Sequence, residues 1–245
     1  VADPELVRPR VHEAVSRHRR SDRGGAVPTL EALCRAVCED LGVIAATVSL
    51  LPGVGAHPVC AASSSTARKL DEAQFSVGEG PARAAFDARR PVLVPDLERT
   101  GSLRWPGWAP AALTEGVVGV YSFPLHVGAT IFGVLTLYAG ADTAPLGQDE
   151  VLTGLVFAEV ATEVLLDSTL PEAAAGGQLE PDLGATLDTH AYVYQAQGMV
   201  MVELGVSLAE ALALMRAHAW ATGRDLTSLA GEIVAGRFMP PRDTR

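Results

Sequence analysis

The stretch Tyr194–Val234, YQAQGMVMVELGVSLAEALALMRAHAWATGRDLTSLAGEIV, reads as three short helices with tightly specified breaks. Ser207-Leu208-Ala209-Glu210 has capping-box spacing: the hydroxyl caps a free N–H while the carboxylate reaches back. Leu208, Ala211, Leu212, Met215 and Ala219 then form one apolar stripe at helical spacing. Gly223 suits a left-handed stop. The third helix carries Leu226, Leu229, Ala230, Ile233 and Val234, with Asp225 or Thr227 as its cap. A bundle this small is usually a recognition module attached to something larger.

Extended back to Ala185, the first helix has two apolar faces. Leu187, Ala191, Tyr194, Gly198 and Met201 share one, and Val193, Ala196, Val200 and Leu204 share the other. One face closes the bundle, and the other needs a second partner. Gly198 costs about 1 kcal/mol of helix propensity relative to alanine, which fits a site where another backbone or a ligand approaches. The reading is a homodimer held by a coiled-coil-like contact; the competing reading packs the second face on the upstream domain.

This segment resembles an ANTAR domain, the RNA-binding module of bacterial transcription antiterminators. The resemblance rests on Ala196-x-Gly198-Met199-x-Met201, on Ser207, Ala211, Leu214, Arg216 and Ala219, and on Leu229-Ala230-x-x-Ile233-Val234. It implies an RNA-reading surface drawn from Tyr194, Gln197, Gly198, Arg216, His218 and Arg224, engaging tandem hairpins in leader transcripts. Gln197 stands where many relatives have a basic residue.

Composition bounds the rest. A chain of 245 residues, 48% hydrophobic and 20% charged, is globular and expected to form two domains. No apolar run of membrane-spanning length occurs, and VADPELVRPR lacks the apolar core of a signal peptide. Three cysteines make no disulfide framework. The expectation is a cytoplasmic protein. Net charge is −10, and residues 185–245 hold five basic and six acidic side chains, so counter-ion release contributes little to RNA affinity. Recognition would rest on stacking and base edges with a few cationic contacts. The rival reading is a bundle that binds a protein partner.

Residues 1–26 carry an arginine cluster (Arg8, Arg10, Arg17, Arg19, Arg20, Arg23) and read as an arm or a short helix from Pro9 to Arg20. Residues 27–168 mix elements. Helices are expected at Pro28–Leu41, Pro81–Arg89 and Gln148–Asp167. Strands are expected at Val43–Leu51, Pro58–Ser63, Val92–Val94, Val117–Pro124 and Thr130–Ala139, with turns at Pro52-Gly53 and Val127-Gly128. Residues 169–184 form a linker and 240–245 a tail. The fold class is an α+β domain, an antiparallel sheet flanked by helices, followed by an all-α three-helix domain at 185–239.

The α+β part resembles a GAF sensor domain. The residues are Val77-Gly78-Glu79-Gly80-Pro81, Arg90-Pro91-Val92-Leu93-Val94-Pro95-Asp96-Leu97, Arg104-Trp105-Pro106, Pro124-Leu125 and Gly133-Val134-Leu135-Thr136-Leu137-Tyr138. The order GAF then ANTAR resembles regulators common in high-GC Gram-positive bacteria. The resemblance implies a small-molecule ligand of unknown identity, with Phe75, Trp105, Trp108 and Tyr121 as candidate ligand-binding residues. Arg99–Pro110 would be a long loop over a pocket; in the alternative, both tryptophans only pack. Ala82 replaces a cysteine often found after the Gly-Pro, the Asn-Lys-x-Asp cyclic-nucleotide string is absent, and His57 and His126 are isolated.

No catalytic constellation emerges, and the chain reads as a non-enzyme. Cys34 and Cys38 share a helical face with Leu30, Val37 and Leu41, where cysteine acts as a small hydrophobe. No phosphate loop, zinc spacing or nucleophile elbow occurs.

Overall fold

The structure is a computed structural model that describes residues 3–19, 25–51, 59–175 (168–175 as backbone) and 191–241. The Pro52-Gly53 turn, His57, Arg20, Arg23, Ala185, Leu187 and most of the linker and tail fall outside the described residues.

The α+β unit is built on five antiparallel strands: β1 (Ala45–Leu50), β2 (Val59–Ala62), β3 (Val92–Val94), β4 (Gly119–Val127) and β5 (Thr130–Ala139). Their order is β2-β1-β5-β4-β3. The β4–β5 hairpin turns at Gly128, whose φ of +55° is one that glycine adopts without strain. Side chains alternate across the sheet. On one face Tyr121, Phe123, Leu125, Leu135 and Leu137 pack against helices; on the other, Val120, Val134 and Tyr138 face a second apolar cluster.

The first face is covered by α1 (Pro4–His18), α2 (Ala26–Leu41) and α7 (Gln148–Ala175). The helix α1 is not an arm. Val7, Val11, Ala14 and Val15 are buried in the sensor core, and Arg8 pairs with Glu159 and Glu163 of α7. Its arginine-rich composition concealed an apolar stripe of small residues, each large enough to contribute about 1 kcal/mol or more on burial. The helix α7 continues past Asp167, because Glu172–Ala175 are good helix formers.

The second face is covered by α3 (Ser65–Val77), α4 (Pro81–Ala88), α5 (Leu97–Arg104) and α6 (Ala109–Thr114). The expected loop at 99–110 instead holds α5 and the start of α6. Asp96 caps α5 by accepting the Arg99 N–H at 2.9 Å, and Pro110 sits in the first turn of α6.

The C-terminal bundle comprises α8 (Ala191–Leu204), α9 (Leu208–Ala221) and α10 (Leu226–Val234). The Ser207–Glu210 capping box forms in both directions, and Asp225 caps α10. Gly223 takes φ +62°. Among the described residues no single helix is long and apolar enough to cross a membrane.

Candidate functional site

The core of the α+β unit is organised around a buried carboxylate. Asp71 on α3 is fully buried. It accepts hydrogen bonds from Ser49 Oγ on β1, from Gln74 Nε2 at 2.8 Å and from the Tyr138 hydroxyl at 3.1 Å. Gln74 also donates to the Tyr138 oxygen at 3.1 Å, and its Oε1 accepts the Ala82 N–H at 2.9 Å. Burial and the adjacent Asp71 charge push the Tyr138 phenol well above its ordinary pKa, so it stays a neutral donor. The network ties α3 to β1, β5 and α4.

The four residues expected to bind a sensor ligand do not converge. Trp105 and Trp108 meet edge to face at 5.9 Å on the α3 side of the sheet. Trp108 is fully buried and donates its indole N–H to the Leu70 carbonyl at 2.9 Å. Tyr121 lies on the opposite face of the sheet, where its hydroxyl accepts the Leu146 N–H. Phe75 sits in a third cluster, with the C-terminal bundle. The tryptophans are therefore packed core, not the lining of a shared site with Tyr121; the alternation of a strand placed Tyr121 out of their reach.

The expected RNA-reading residues divide as well. Gln197 is buried and donates from Nε2 to the Leu208 carbonyl at 2.7 Å, bracing α8 against the start of α9. Its side chain is spent inside the bundle, which corrects its placement on an RNA-facing surface. Tyr194 and Gly198 are half-buried on α8, and a Cβ added to Gly198 would meet nothing within 4 Å. Among the described residues, therefore, nothing comes close to Gly198. His218 stacks on Phe238 at 4.6 Å, and Arg224 pairs with Glu232 at 2.7 Å.

Arg216 is different. It projects from α9 onto the sensor. Its Nε donates to the Phe75 carbonyl at 3.0 Å, and its guanidinium lies 5.2 Å from the centre of the Phe75 ring. Burial, with a smaller contribution from the charge of Arg83, lowers its pKa to about 10. No carboxylate forms an ion pair with it among the described residues. Phe75, 2% exposed, packs in the same cluster as Met215 and Ala219 of the bundle. Gly78, the left-handed cap of α3, leaves room for the guanidinium: a Cβ there would lie 2.9 Å from Arg216 Nη1.

Beside this contact a groove of about 660 Å³ runs between the two units. Val77, Gly78, Glu79 and Gly107 form its sensor wall; Arg216, Trp220 and Arg224 stand on the other. Glu79 shapes the sensor wall by accepting the Gly107 N–H at 2.6 Å and the Trp108 N–H at 3.3 Å. Phe75, Gly78, Glu79 and the exposed Trp220 acquire their importance from this seam; Gly78 and Glu79 stood out in the sequence within the Val-Gly-Glu-Gly-Pro string and Phe75 as a candidate ligand residue, but none as a partner of the bundle.

The arrangement is that of an α+β domain with a small helical bundle docked against it. The chain belongs to the GAF-domain family: the family model of the GAF domain matches residues 29–164, and that of the ANTAR domain matches residues 182–234. Among curated proteins, nothing matches. The GAF domain of an Acinetobacter phosphoenolpyruvate-protein phosphotransferase is similar at a TM-score of 0.53 and 9% identity, covering 70% of this chain and 98% of that one. The GAF domain of the corresponding Coxiella burnetii protein gives 0.51 and 14%, covering 69% and 96%. At these identities the likeness is one of fold.

Proposed function

We propose that this chain is a signal-responsive regulator that binds hairpins in leader RNA as a dimer and promotes transcription antitermination. The observation that carries the reading is the ANTAR domain at residues 182–234, joined to a sensor in one chain. Arg216 is the principal RNA contact, being a cation with which no carboxylate pairs among the described residues. Tyr194, Gly198, His218 and Arg224 supply secondary contacts. A small molecule is the expected signal, and the cytoplasm, where transcripts are made, is the expected location.

The dimer contact proposed here follows α8 on a third stripe, because residues of both apolar faces expected from the sequence (Val193, Ala196 and Val200; Tyr194 and Met201) pack in the bundle's own cluster. Tyr192, Gln195, Met199 and Val202 fall at 3-4-3 spacing, and Tyr192 and Val202 are 59% and 75% exposed. Two such stripes meeting would bury them and set two modules side by side for paired hairpins. Val202→Glu places a charge in that seam. The variant is expected to be monomeric by light scattering and to lose tandem-hairpin binding in a gel shift, and Arg216→Ala is expected to lose the binding without a change of mass. Wild-type protein that is monomeric at micromolar concentration would remove the dimer. Absence of any shift at low salt would favour a protein partner, a reading supported by the inward Gln197 and the acidic net charge.

A further inference from the structure

We propose that the end of α3 in the sensor is a masking surface for Arg216, and that sensor and RNA compete for the same guanidinium. The inference rests on the RNA-binding reading above and gives the response its direction: the docked form is silent, and the signal acts by undocking.

The chemistry of the seam supports exclusion. Arg216 uses Nε on the Phe75 carbonyl and holds its guanidinium over the Phe75 ring, 5.2 Å from the ring centre. Binding a phosphate in the bidentate manner, or stacking on a base, needs a free donor edge or a free face. The Nη1 atom lies against Gly78, where an added Cβ would come within 2.9 Å of it and oblige the guanidinium to shift. The adjoining groove, about 660 Å³, is of a size that holds a small ligand and not a folded hairpin. Phe75 belongs at once to the sensor helix and to the bundle's apolar cluster, so the contact is a packed joint and not a passing touch of a long side chain.

The docked state also leaves the cation poorly compensated. A backbone carbonyl and an aromatic face offset part of the desolvation, whereas a phosphate would neutralise the charge outright. The joint therefore holds Arg216 in a state from which RNA can reclaim it once α3 shifts.

The experiment uses the full chain and a tandem-hairpin RNA, and reads both RNA affinity and modification of Arg216 by phenylglyoxal, mapped by mass spectrometry. Phe75→Ala removes the ring. Gly78→Asn keeps a residue that tolerates the left-handed conformation and fills the space of the guanidinium; it serves where Phe75→Ala fails to fold. Each is expected to expose Arg216 to the reagent and to tighten RNA binding about tenfold, because apparent affinity scales with the competent fraction. Adding Arg216→Ala to either should abolish the gain. Wild type and both variants binding RNA equally, with Arg216 freed only in the variants, overturns masking and leaves RNA binding intact. Arg216 freed in the variants with no RNA bound by any form overturns the RNA reading, and masking with it.

Discussion

Replacing Gln74 with leucine should cripple the sensor out of proportion to the size of the change. The two side chains are similar in volume, and the position is 1% exposed, so the loss is polar and not steric. Three bonds disappear: the donors to Asp71 and Tyr138, and the acceptor for the Ala82 N–H at the start of α4. A hydrogen bond to a buried carboxylate contributes about 1.5–3 kcal/mol, and a stranded buried N–H costs about 1–3 kcal/mol. Added apolar burial offsets about 1 kcal/mol of this, leaving a net loss of about 3 kcal/mol. The assay is urea unfolding followed by tryptophan fluorescence in a Trp220→Phe background, so that Trp105 and Trp108 report the sensor alone. With a slope of about 2 kcal/mol per molar urea, the midpoint should fall by roughly 1.5 M at unchanged slope. A fall of less than about 0.5 M would mean that the Asp71 network is not structural, and the account of the sensor core given above would be wrong.

Two further outcomes follow from local geometry. Ser207→Ala deletes one half of the capping box and should lower the stability of the bundle by about 1 kcal/mol, read as a lower melting temperature by circular dichroism, with no effect on the sensor. Burial pushes Cys38 up to about 11 and Cys60 up to about 12, and Cys34 well above the ordinary thiol value. Protons are thus held more tightly in the folded state, so this stability is fully present below about pH 9 and is lost as pH rises towards 11 and 12. Chemical denaturation at pH 7, 9 and 10.5 should show a decline that Cys38→Ala reduces, and thiol reagents at pH 8 should label the native protein far more slowly than the unfolded chain.

What the sequence disclosed was what is local. The Ser207–Glu210 box, the Asp225 cap and the Gly223 stop each depend on residues within one turn, and all three stand in the structure. Thr130–Ala139 is likewise a strand over the stated range. The helix α3 escaped notice because two of its core-facing positions are Asp71 and Gln74. Ala67, Leu70, Asp71, Gln74 and Phe75 keep perfect helical spacing, but the polar pair breaks the apolar signal. The ligand set of Phe75, Trp105, Trp108 and Tyr121 was assembled by residue type, and strand alternation together with the docking of the bundle scattered it across three clusters. The seam itself joins residues 141 positions apart. Nothing in the local pattern of either partner encodes that pairing.

The helix α3 joins the two halves of the mechanism. Asp71 and Gln74 fasten it to β1, β5 and α4; Phe75 and Gly78, in the next turn, hold Arg216. A helix is stiff over so short a span, so a shift in the sensor core that moves Asp71 also moves the Phe75 carbonyl. This route needs no signal through the chain between α7 and α8. The strength of the joint fits such a role. One hydrogen bond from a charged group and one cation–π contact at a largely buried site contribute together about 2–3 kcal/mol, within the roughly 1–3 kcal/mol typical of coupling between sites. A joint of that size keeps the module docked in most molecules, yet a ligand with a hundredfold preference for the open sensor supplies about 2.7 kcal/mol and reverses the balance. A buried ion pair in place of Arg216 and the Phe75 carbonyl would hold the module beyond the reach of such a ligand, which gives a physical reason for a cation docked on a carbonyl instead of a carboxylate.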